Sequence, residues 1–248
     1  MRSLSAFALF TVIAMTLSGL GCPGFAALAY EGYTVCIDPG HQGVANSTPE
    51  PIGPGATTTK PCVSSGTSGP ISGPEHALNL DVGLRLRDLL AAQGVTVVMT
   101  RTTPDVDLCN SERAAIANAA EAHLAVRIHA NSGSTSGCFT LNPTNIPGWT
   151  DDIYEESLEA ATIVQTAFAA HTGIPDLGLT PRSDIAGFNW SDVPVILPEM
   201  FHMQNAEHDA LAATPAFRQL LAEGLAEGIF AYLDTVDSVP VGLSLFGP

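Results

Sequence analysis

The sequence predicts a single α/β domain in which a mainly parallel or mixed central sheet carries helices on both faces. Short apolar segments with strand character alternate with longer amphipathic segments, and this alternation is typical of strands joined by helical crossovers. A length of 248 residues fits one hydrophobic core. With 46% hydrophobic and 14% charged residues, the chain has ample apolar surface to bury, which argues against a disordered protein.

The predicted elements follow in order along the chain. A buried strand at 33–38 precedes a loop rich in Gly and Pro at 39–74. Apolar residues at helical spacing then predict a helix over 75–93, and Gly94 ends it. The later predicted elements are a strand at 95–100, a helix at 111–121, strands at 124–128 and 138–141, a helix at 151–172, a strand at 193–197 and a helix at 215–233. We expect the domain to span 30–233 and the tail at 234–248 to be irregular.

The first 29 residues are expected to be a secretory signal peptide. Arg2 precedes an apolar run at 6–17, and Ala27 and Ala29 form a cleavage site that ends at Ala29. The run is shorter than the roughly 20 residues that span a bilayer, so we expect a secreted or cell-envelope protein with no membrane span. Cys22 makes a lipoprotein anchor the less favoured alternative, because Gly19 stands where a branched apolar residue is expected.

The charge balance limits the possible partners. Nine Lys and Arg residues stand against 25 Asp and Glu, a formal net charge of −16. Such a chain repels nucleic-acid phosphates and anionic lipid headgroups. We therefore expect no nucleic-acid partner, and we expect a monomer.

Four cysteines follow the predicted signal peptide. Cys62 and Cys109 lie in polar segments, so we expect both at the surface and joined by a disulfide, because an exported chain keeps such bridges. The chain-entropy model values this bridge at roughly 4 kcal/mol. Cys36 and Cys138 lie in apolar strands, where two small buried side chains explain them at least as well as a second bridge does.

Three polar residues are expected at the carboxyl edge of the sheet, where open α/β sheets bind ligands. His41 follows the first strand, His129 follows the strand at 124–128, and Glu75 opens the first long helix. Two imidazoles and one carboxylate are a donor set of catalytic zinc, with a fourth position open. Their separations match no compact ligand motif, so ordinary hydrogen-bonded loop residues are the alternative at this point.

Further polar residues are expected near the same edge. Glu199 follows the strand at 193–197 and a turn expected at Pro198, and by residue type it is either a catalytic base or a solvated loop acid. Arg113 and Asn118 are expected to make structural hydrogen bonds. The histidines outside the candidate zinc set, His202 among them, are expected to be surface or capping residues.

Five ordered segments resemble the zinc-dependent N-acetylmuramoyl-L-alanine amidases of the type-3 family, and mycobacterial secreted forms in particular. They are IDPGHQG at 37–43, GPEHALNLDVGLRLRDLL at 73–90, SERAAIAN at 111–118, RIHAN at 127–131 and VPVILPEMFHMQNAEHDAL at 193–211. The resemblance covers about residues 33–233.

The resemblance implies hydrolysis of the amide that joins N-acetylmuramic acid to the L-alanine of the peptidoglycan stem peptide. By motif position it assigns one zinc ion to His41, Glu75 and His129, and the catalytic carboxylate to Glu199. Two other functions stay open at this point: a zinc peptidase that acts within the stem peptide, and a non-catalytic wall-binding module.

Two residues are candidates for contact with peptidoglycan or its soluble muropeptides. Asn131 either donates to substrate or holds its own loop. Arg182 is the best candidate to bind a carboxylate of the stem peptide, because its loop carries a cation together with the aromatic rings of the segment at 188–190. We expect this loop to form a rim that grips the peptide.

Overall fold

A computed structural model describes residues 28–236, which form ten strands and six helices. The strands are β1 (Thr34–Pro39), β2 (Asn46–Pro51), β3 (Thr59–Val63), β4 (Ser68–Gly69), β5 (Gly73–Pro74), β6 (Thr96–Met99), β7 (Leu124–Asn131), β8 (Cys138–Pro143), β9 (Asp176–Arg182) and β10 (Val195–His202). The helices are α1 (Glu75–Ala91), α2 (Asn110–Ala119), α3 (Tyr154–Thr172), α4 (Ala186–Asn189), α5 (Ala206–Ala212) and α6 (Pro215–Leu233).

Six strands form the central sheet in the order β6-β1-β7-β10-β8-β9. The first four are parallel to one another, β8 runs antiparallel to β10, and β9 is parallel to β8. The pairs β2–β3 and β4–β5 are separate antiparallel ribbons. The mixed, mainly parallel sheet predicted from the alternating pattern is therefore confirmed.

Side chains alternate between the two faces of the sheet and meet different helices. One cluster packs strand residues such as Ile37 and Val126 against α1, α3 and α6. The opposite cluster packs their neighbours Cys36 and Ala125 against α2 and Phe188 of α4. This period-two alternation places helices on both faces, as predicted.

The spacing of apolar residues in α1 explains why this segment is helical. Its apolar residues recur at helical spacing, and four of them are at most 1% exposed: Leu78, Val82, Leu86 and Leu90. Burying such a side chain contributes about 1.5–3 kcal/mol. Gly83 lets the helix approach the sheet closely, because a Cβ there would lie 2.9 Å from Pro39 Cγ. The first residue of α1, Glu75, is thereby held beside the end of β1.

Several elements were not predicted. The expected loop at 39–74 contains β2 to β5, and β9, α4 and α5 were absent from the predicted elements. Strand β9 is mostly exposed and lies at the sheet edge, so its sequence lacks the apolar run that indicates a strand. The ribbon β2–β3 is rich in proline, which sheets tolerate in such peripheral strands. The Asn205 side chain caps α5 by accepting from Glu207 and His208 N–H.

The prediction of a turn at Pro198 is wrong. β10 runs through Pro198 and Glu199 to His202. Its register with β7 is the same before and after the proline, at Ile196↔Val126 and at Glu199↔His129. The strand is paired on both sides, so its neighbours hold it extended although proline lacks an N–H.

The predicted disulfide joins Cys62 and Cys109, with the two Cα atoms 4.4 Å apart. Cys62 is fully buried rather than at the surface, because β3 packs against the start of α2. Glu50 strengthens the same junction by accepting from the backbone N–H groups of Asn110 and Ser111 at 3.1 Å. Cys36 and Cys138 are free and buried, so they are small apolar side chains rather than a second bridge.

Two predicted regions fall largely outside the described residues. The signal peptide at 1–29 overlaps them only at 28–29, and the irregular tail only at 234–236. Within residues 28–236, no helix combines the length and apolar character needed to cross a membrane.

Candidate metal centre

Three elements bring His41, Glu75 and His129 together at one edge of the sheet. His41 follows β1, Glu75 is the first residue of α1, and His129 lies on β7, the parallel neighbour of β1. Each residue offers one ligand atom, and these atoms all lie within 4.8 Å of one another. The three side chains therefore meet at one edge of the sheet.

Glu75 lies between the two histidines. Its Oε2 is 3.1 Å from His41 Nε2 and its Oε1 is 3.0 Å from His129 Nδ1. The carboxylate is only 3% exposed. Burial raises the pKa of Glu75, but the hydrogen bonds from His129 and His41 outweigh it and hold the pKa below the usual range. Glu75 is therefore an anion between two imidazoles.

The backbone fixes the orientation of Glu75. Its Oε2 accepts from Thr67 N–H at 2.9 Å, and its Oε1 accepts from Ala130 N–H at 3.2 Å and from Asn79 Nδ2 at 3.2 Å. These donors come from the loop before α1, from β7 and from the next turn of α1. A carboxylate with this many fixed partners has little freedom to rotate.

The two imidazoles are also oriented. His41 Nδ1 lies 2.9 Å from the Ser64 carbonyl oxygen, which can only accept, so Nδ1 donates to that oxygen and Nε2 is directed at Glu75. His129 Nε2 is buried and has no hydrogen-bond partner within residues 28–236. Burial lowers the pKa of His129, which favours the neutral ring that binds metals.

Two glycines make room for these rings. A Cβ on Gly40 would lie 2.3 Å from Nε2 of His129. A Cβ on Gly66, whose φ is 75°, would lie 2.6 Å from Glu75 Oε2 and 2.7 Å from His41 Cδ2. The backbone therefore approaches the three side chains more closely than any residue with a side chain allows.

Glu199 lies on β10 directly opposite His129. It lines the same open cleft of about 470 Å³ as His41, Glu75 and His129. Its Oε2 is buried without a partner within residues 28–236. Burial, followed by the charge of Glu75, raises the pKa of Glu199 well above the usual carboxyl range. Glu199 therefore lies on a paired strand in the same cleft as the three candidate ligands, and it is not a solvated loop acid.

Comparison with known proteins identifies the family. A family model described as N-acetylmuramoyl-L-alanine amidase matches residues 35–231. The chain belongs to the N-acetylmuramoyl-L-alanine amidase family. This confirms the family inferred from the five sequence segments.

Individual members of the family are similar over most of their length. An N-acetylmuramoyl-L-alanine amidase of Mycobacterium tuberculosis is 36% identical over 213 residues, which cover 82% of this chain and 88% of that protein. The crystal structure of the amidase Ami1 from Mycobacterium smegmatis matches with a TM-score of 0.76 and 35% identity, covering 83% of this chain and 99% of that one. The apo form of Ami1 from Mycobacterium abscessus matches with a TM-score of 0.74 and 30% identity, covering 82% and 99%.

A buried ion network lies beneath the site in this amidase-family chain. Asp38 accepts from Arg113 at 2.7 Å and from Arg127 at 2.9 Å. Burial raises the pKa of Asp38, but the charges of Arg113 and Arg127 outweigh it and hold the pKa below the usual range. Arg113 also donates to the His41 carbonyl oxygen at 3.1 Å. The structural role expected for Arg113 is confirmed, and sequence reasoning missed Asp38, an acid inside an apolar strand.

Asn118 has the structural role expected of it. Its Nδ2 donates to the Trp190 carbonyl oxygen at 3.0 Å and to Asp192 Oδ2 at 2.8 Å. Its Oδ1 accepts from Asp192 N–H. These bonds tie α2 to the segment that leads into β10.

Asn131 lines the cleft and is held by His202. The buried His202 directs Nδ1 at the Gly137 carbonyl oxygen, and its Nε2 lies 3.2 Å from Asn131 Nδ2. Asn131 Oδ1 accepts from Ser132 N–H. The expectation that His202 is a surface or capping residue is wrong, because it packs inside β10 and positions Asn131.

The prediction of an aromatic rim is also partly wrong. Phe188 and Asn189 are at most 1% exposed and belong to the core and to hydrogen bonds within it. Trp190 is half-buried and donates from Nε1 to the Pro51 carbonyl oxygen. Arg182 is half-buried and makes a two-point ion pair with Asp184. The loop therefore carries an ion pair and no rim of aromatic rings.

Proposed function

We propose that this chain hydrolyses the amide between N-acetylmuramic acid and L-alanine of the peptidoglycan stem peptide, and that it does so with one zinc ion. The observation that carries the proposal is the convergence of His41, Glu75 and His129 beside Glu199 in one open cleft. The family match and the amidases among its relatives support the choice of substrate.

His41, Glu75 and His129 would hold the zinc. Two imidazole nitrogens and one carboxylate oxygen suit this metal, and they leave a position for water or substrate. The buried nitrogen of His129 and the glycine cradle fit a bound ion, because an orphaned buried lone pair is costly without a partner. When bound, zinc acidifies water and polarises the scissile carbonyl.

Glu199 is proposed to move the protons. Its Oε2 is buried and has no competing partner within residues 28–236, so the carboxylate is available to accept a proton from the attacking water. The low-polarity surroundings that raise its pKa favour the protonated form, which can then donate to the leaving amine. Glu75, ionised and bound by fixed donors, is unsuited to this task.

Asn131 and Arg182 are proposed to contact the substrate. Asn131 lines the cleft, and His202 and Ser132 N–H fix its amide. The positive charge of Arg182 acts on Glu199, which places it within electrostatic reach of the cleft.

Digestion of purified muropeptides tests the reaction. We expect mass spectrometry to detect intact sugars together with free peptides that begin with L-alanine. Removal of metal by a chelator should abolish this release, and added zinc should restore it. Fragments cut within the peptide would instead identify a peptidase, and binding without cleavage would identify a wall-binding module.

We also propose that the chain is exported to the cell envelope or the exterior, that its mature form begins at Tyr30, and that it acts as a monomer. The apolar run at 6–17 and the small residues Ala27 and Ala29 support export. A disulfide between Cys62 and Cys109 is consistent with an oxidising compartment.

A non-reducing peptide map of secreted protein checks both export and the bridge. We expect an N-terminal peptide starting at Tyr30 and a linked Cys62–Cys109 peptide. Alkylation of the unfolded, unreduced chain should label only Cys36 and Cys138, which serve as the internal control. The double variant Cys62→Ala/Cys109→Ala should lose about 2–4 kcal/mol of unfolding free energy in a denaturant titration. Alkylation of Cys62 before reduction would contradict the bridge.

A further inference from the structure

Three charged side chains form a cluster beside the cleft. Lys60 of β3 donates to Asp184 Oδ2 at 2.5 Å. Arg182, the last residue of β9, donates from Nε and Nη2 to the two Asp184 oxygens at 2.7 and 2.8 Å. Hydrogen bonds from Arg182 and Lys60 hold the pKa of Asp184 below its usual range. One carboxylate thus meets two cations, and the cluster keeps a net positive charge.

The cluster adjoins the reacting centre. Lys60 and Asp184 line a side pocket of about 220 Å³ together with Ser64 and Ile185. Ser64 and Ile185 also line the main cleft that contains His41 and Glu199. A substrate bound in the cleft can therefore extend into the side pocket.

The cluster has donors to spare. Arg182 Nη1 has no hydrogen-bond partner within residues 28–236, and Lys60 uses one of its three protons on Asp184. The side chains of Lys60 and Arg182 are 43% and 41% exposed. Both cations can therefore bind an anionic group from solvent while they keep their contacts to Asp184.

These cations are unusual in this acidic chain, and Lys60 is its one lysine. Arg101, Arg113 and Arg127 are buried and bonded to Asp38 or to backbone carbonyl oxygens. Arg85 and Arg87 lie ten or more residues along α1 from Glu75, which places them about 15 Å or more from the cleft. Lys60 and Arg182 thus lie beside the cleft. Their positive charge there offsets the negative net charge of the chain, which repels anions.

We propose that Lys60 and Arg182, held in place by Asp184, form a subsite that binds a free carboxylate of the stem peptide and favours such peptides over their amidated forms. This inference rests on the proposed function, because it takes the stem peptide as the substrate. A carboxylate can accept charge-assisted hydrogen bonds from both cations, whereas a neutral amide forms weaker bonds and places N–H groups against donors. The net charge of −16 repels an anionic peptide, and the two cations offset this repulsion locally.

The test compares two muramyl tripeptides, one with free peptide carboxylates and one with those carboxylates amidated. The wild type should prefer the free acid by roughly tenfold in kcat/KM, mainly through KM. Lys60→Met and Arg182→Gln should each remove most of this preference by weakening the free acid, and should leave the amidated peptide within about twofold. Lys60→Arg and Arg182→Lys should keep the preference. Arg87→Gln, which removes an exposed cation on α1, is the matched control.

Equal losses on both peptides would identify a structural role and overturn the subsite, as would unchanged kinetics in both variants. Calorimetric binding of the two peptides to the Glu199→Gln variant, with and without Lys60→Met, separates this question from catalysis. If the wild type cleaves neither peptide, the proposed function fails. A carboxylate preference that disappears with Lys60→Met would then still support the subsite, and equal binding of the two peptides would overturn it.

Discussion

Replacement of Glu199 by Gln is expected to lower turnover of a muropeptide by at least about a hundredfold while zinc stays bound. The amide keeps the size of the side chain and a hydrogen-bonding group but cannot take up the proton of the attacking water. General acid–base assistance is typically worth 10²–10⁴-fold. The measurements are single-turnover hydrolysis, followed by mass spectrometry, and metal content after dialysis.

Glu159→Gln is the control for this substitution, because Glu159 is an exposed carboxylate on α3. It should leave turnover unchanged. Near-normal turnover in Glu199→Gln would refute the catalytic role. Loss of zinc in Glu199→Gln would instead make Glu199 a ligand or a support of the metal site.

Replacement of His129 by Ala should reduce zinc affinity by at least about a hundredfold and abolish hydrolysis. Two remaining protein ligands rarely hold zinc against a competing chelator, and loss of even an outer-shell partner costs about 10–100-fold. His41→Ala should behave in the same way. Competition with a chelator, followed by metal analysis, gives the affinity without relying on activity.

The control for the metal experiment is His171→Ala, a partly exposed histidine paired with Glu227 on the far helices α3 and α6. It should keep one zinc per chain. Comparison of thermal unfolding between metal-free wild type and metal-free His129→Ala shows whether the fold survives the substitution. Stoichiometric zinc in a folded His129→Ala variant would show that the ligand set is wrong.

The long helices and buried strands follow from local pattern. In α1 and α6, apolar residues recur with helical spacing, and the predicted ends agree with the structure to within two residues. Strands β1 and β7 are short apolar runs between polar turns. Such segments bury their own apolar side chains, so their sequence carries most of the information that decides their structure.

The missed elements depend on partners distant in sequence. β9 is an exposed edge strand that is extended because it pairs with β8. Three contacts hold the ribbon β2–β3. They are the disulfide, the hydrogen bond from Asn110 N–H at the start of α2 to Glu50, and the hydrogen bond from Trp190 to the Pro51 carbonyl oxygen. Proline and glycine in these segments indicate loops, and no local rule encodes the tertiary contacts that order them.

The sequence by itself determined the family, the α/β class and the arrival of His41, Glu75 and His129 at one sheet edge, because parallel strands and helix starts direct consecutive ends to the same side. Only the tertiary structure decided that Glu199 is half-buried opposite His129 and that Asp38 anchors the turn before His41. It also decided that Lys60 meets Asp184 across 124 residues of sequence. Burial, charge pairing and the pKa values that follow from them depend on distances between segments, and those distances exist only once the sheet has formed.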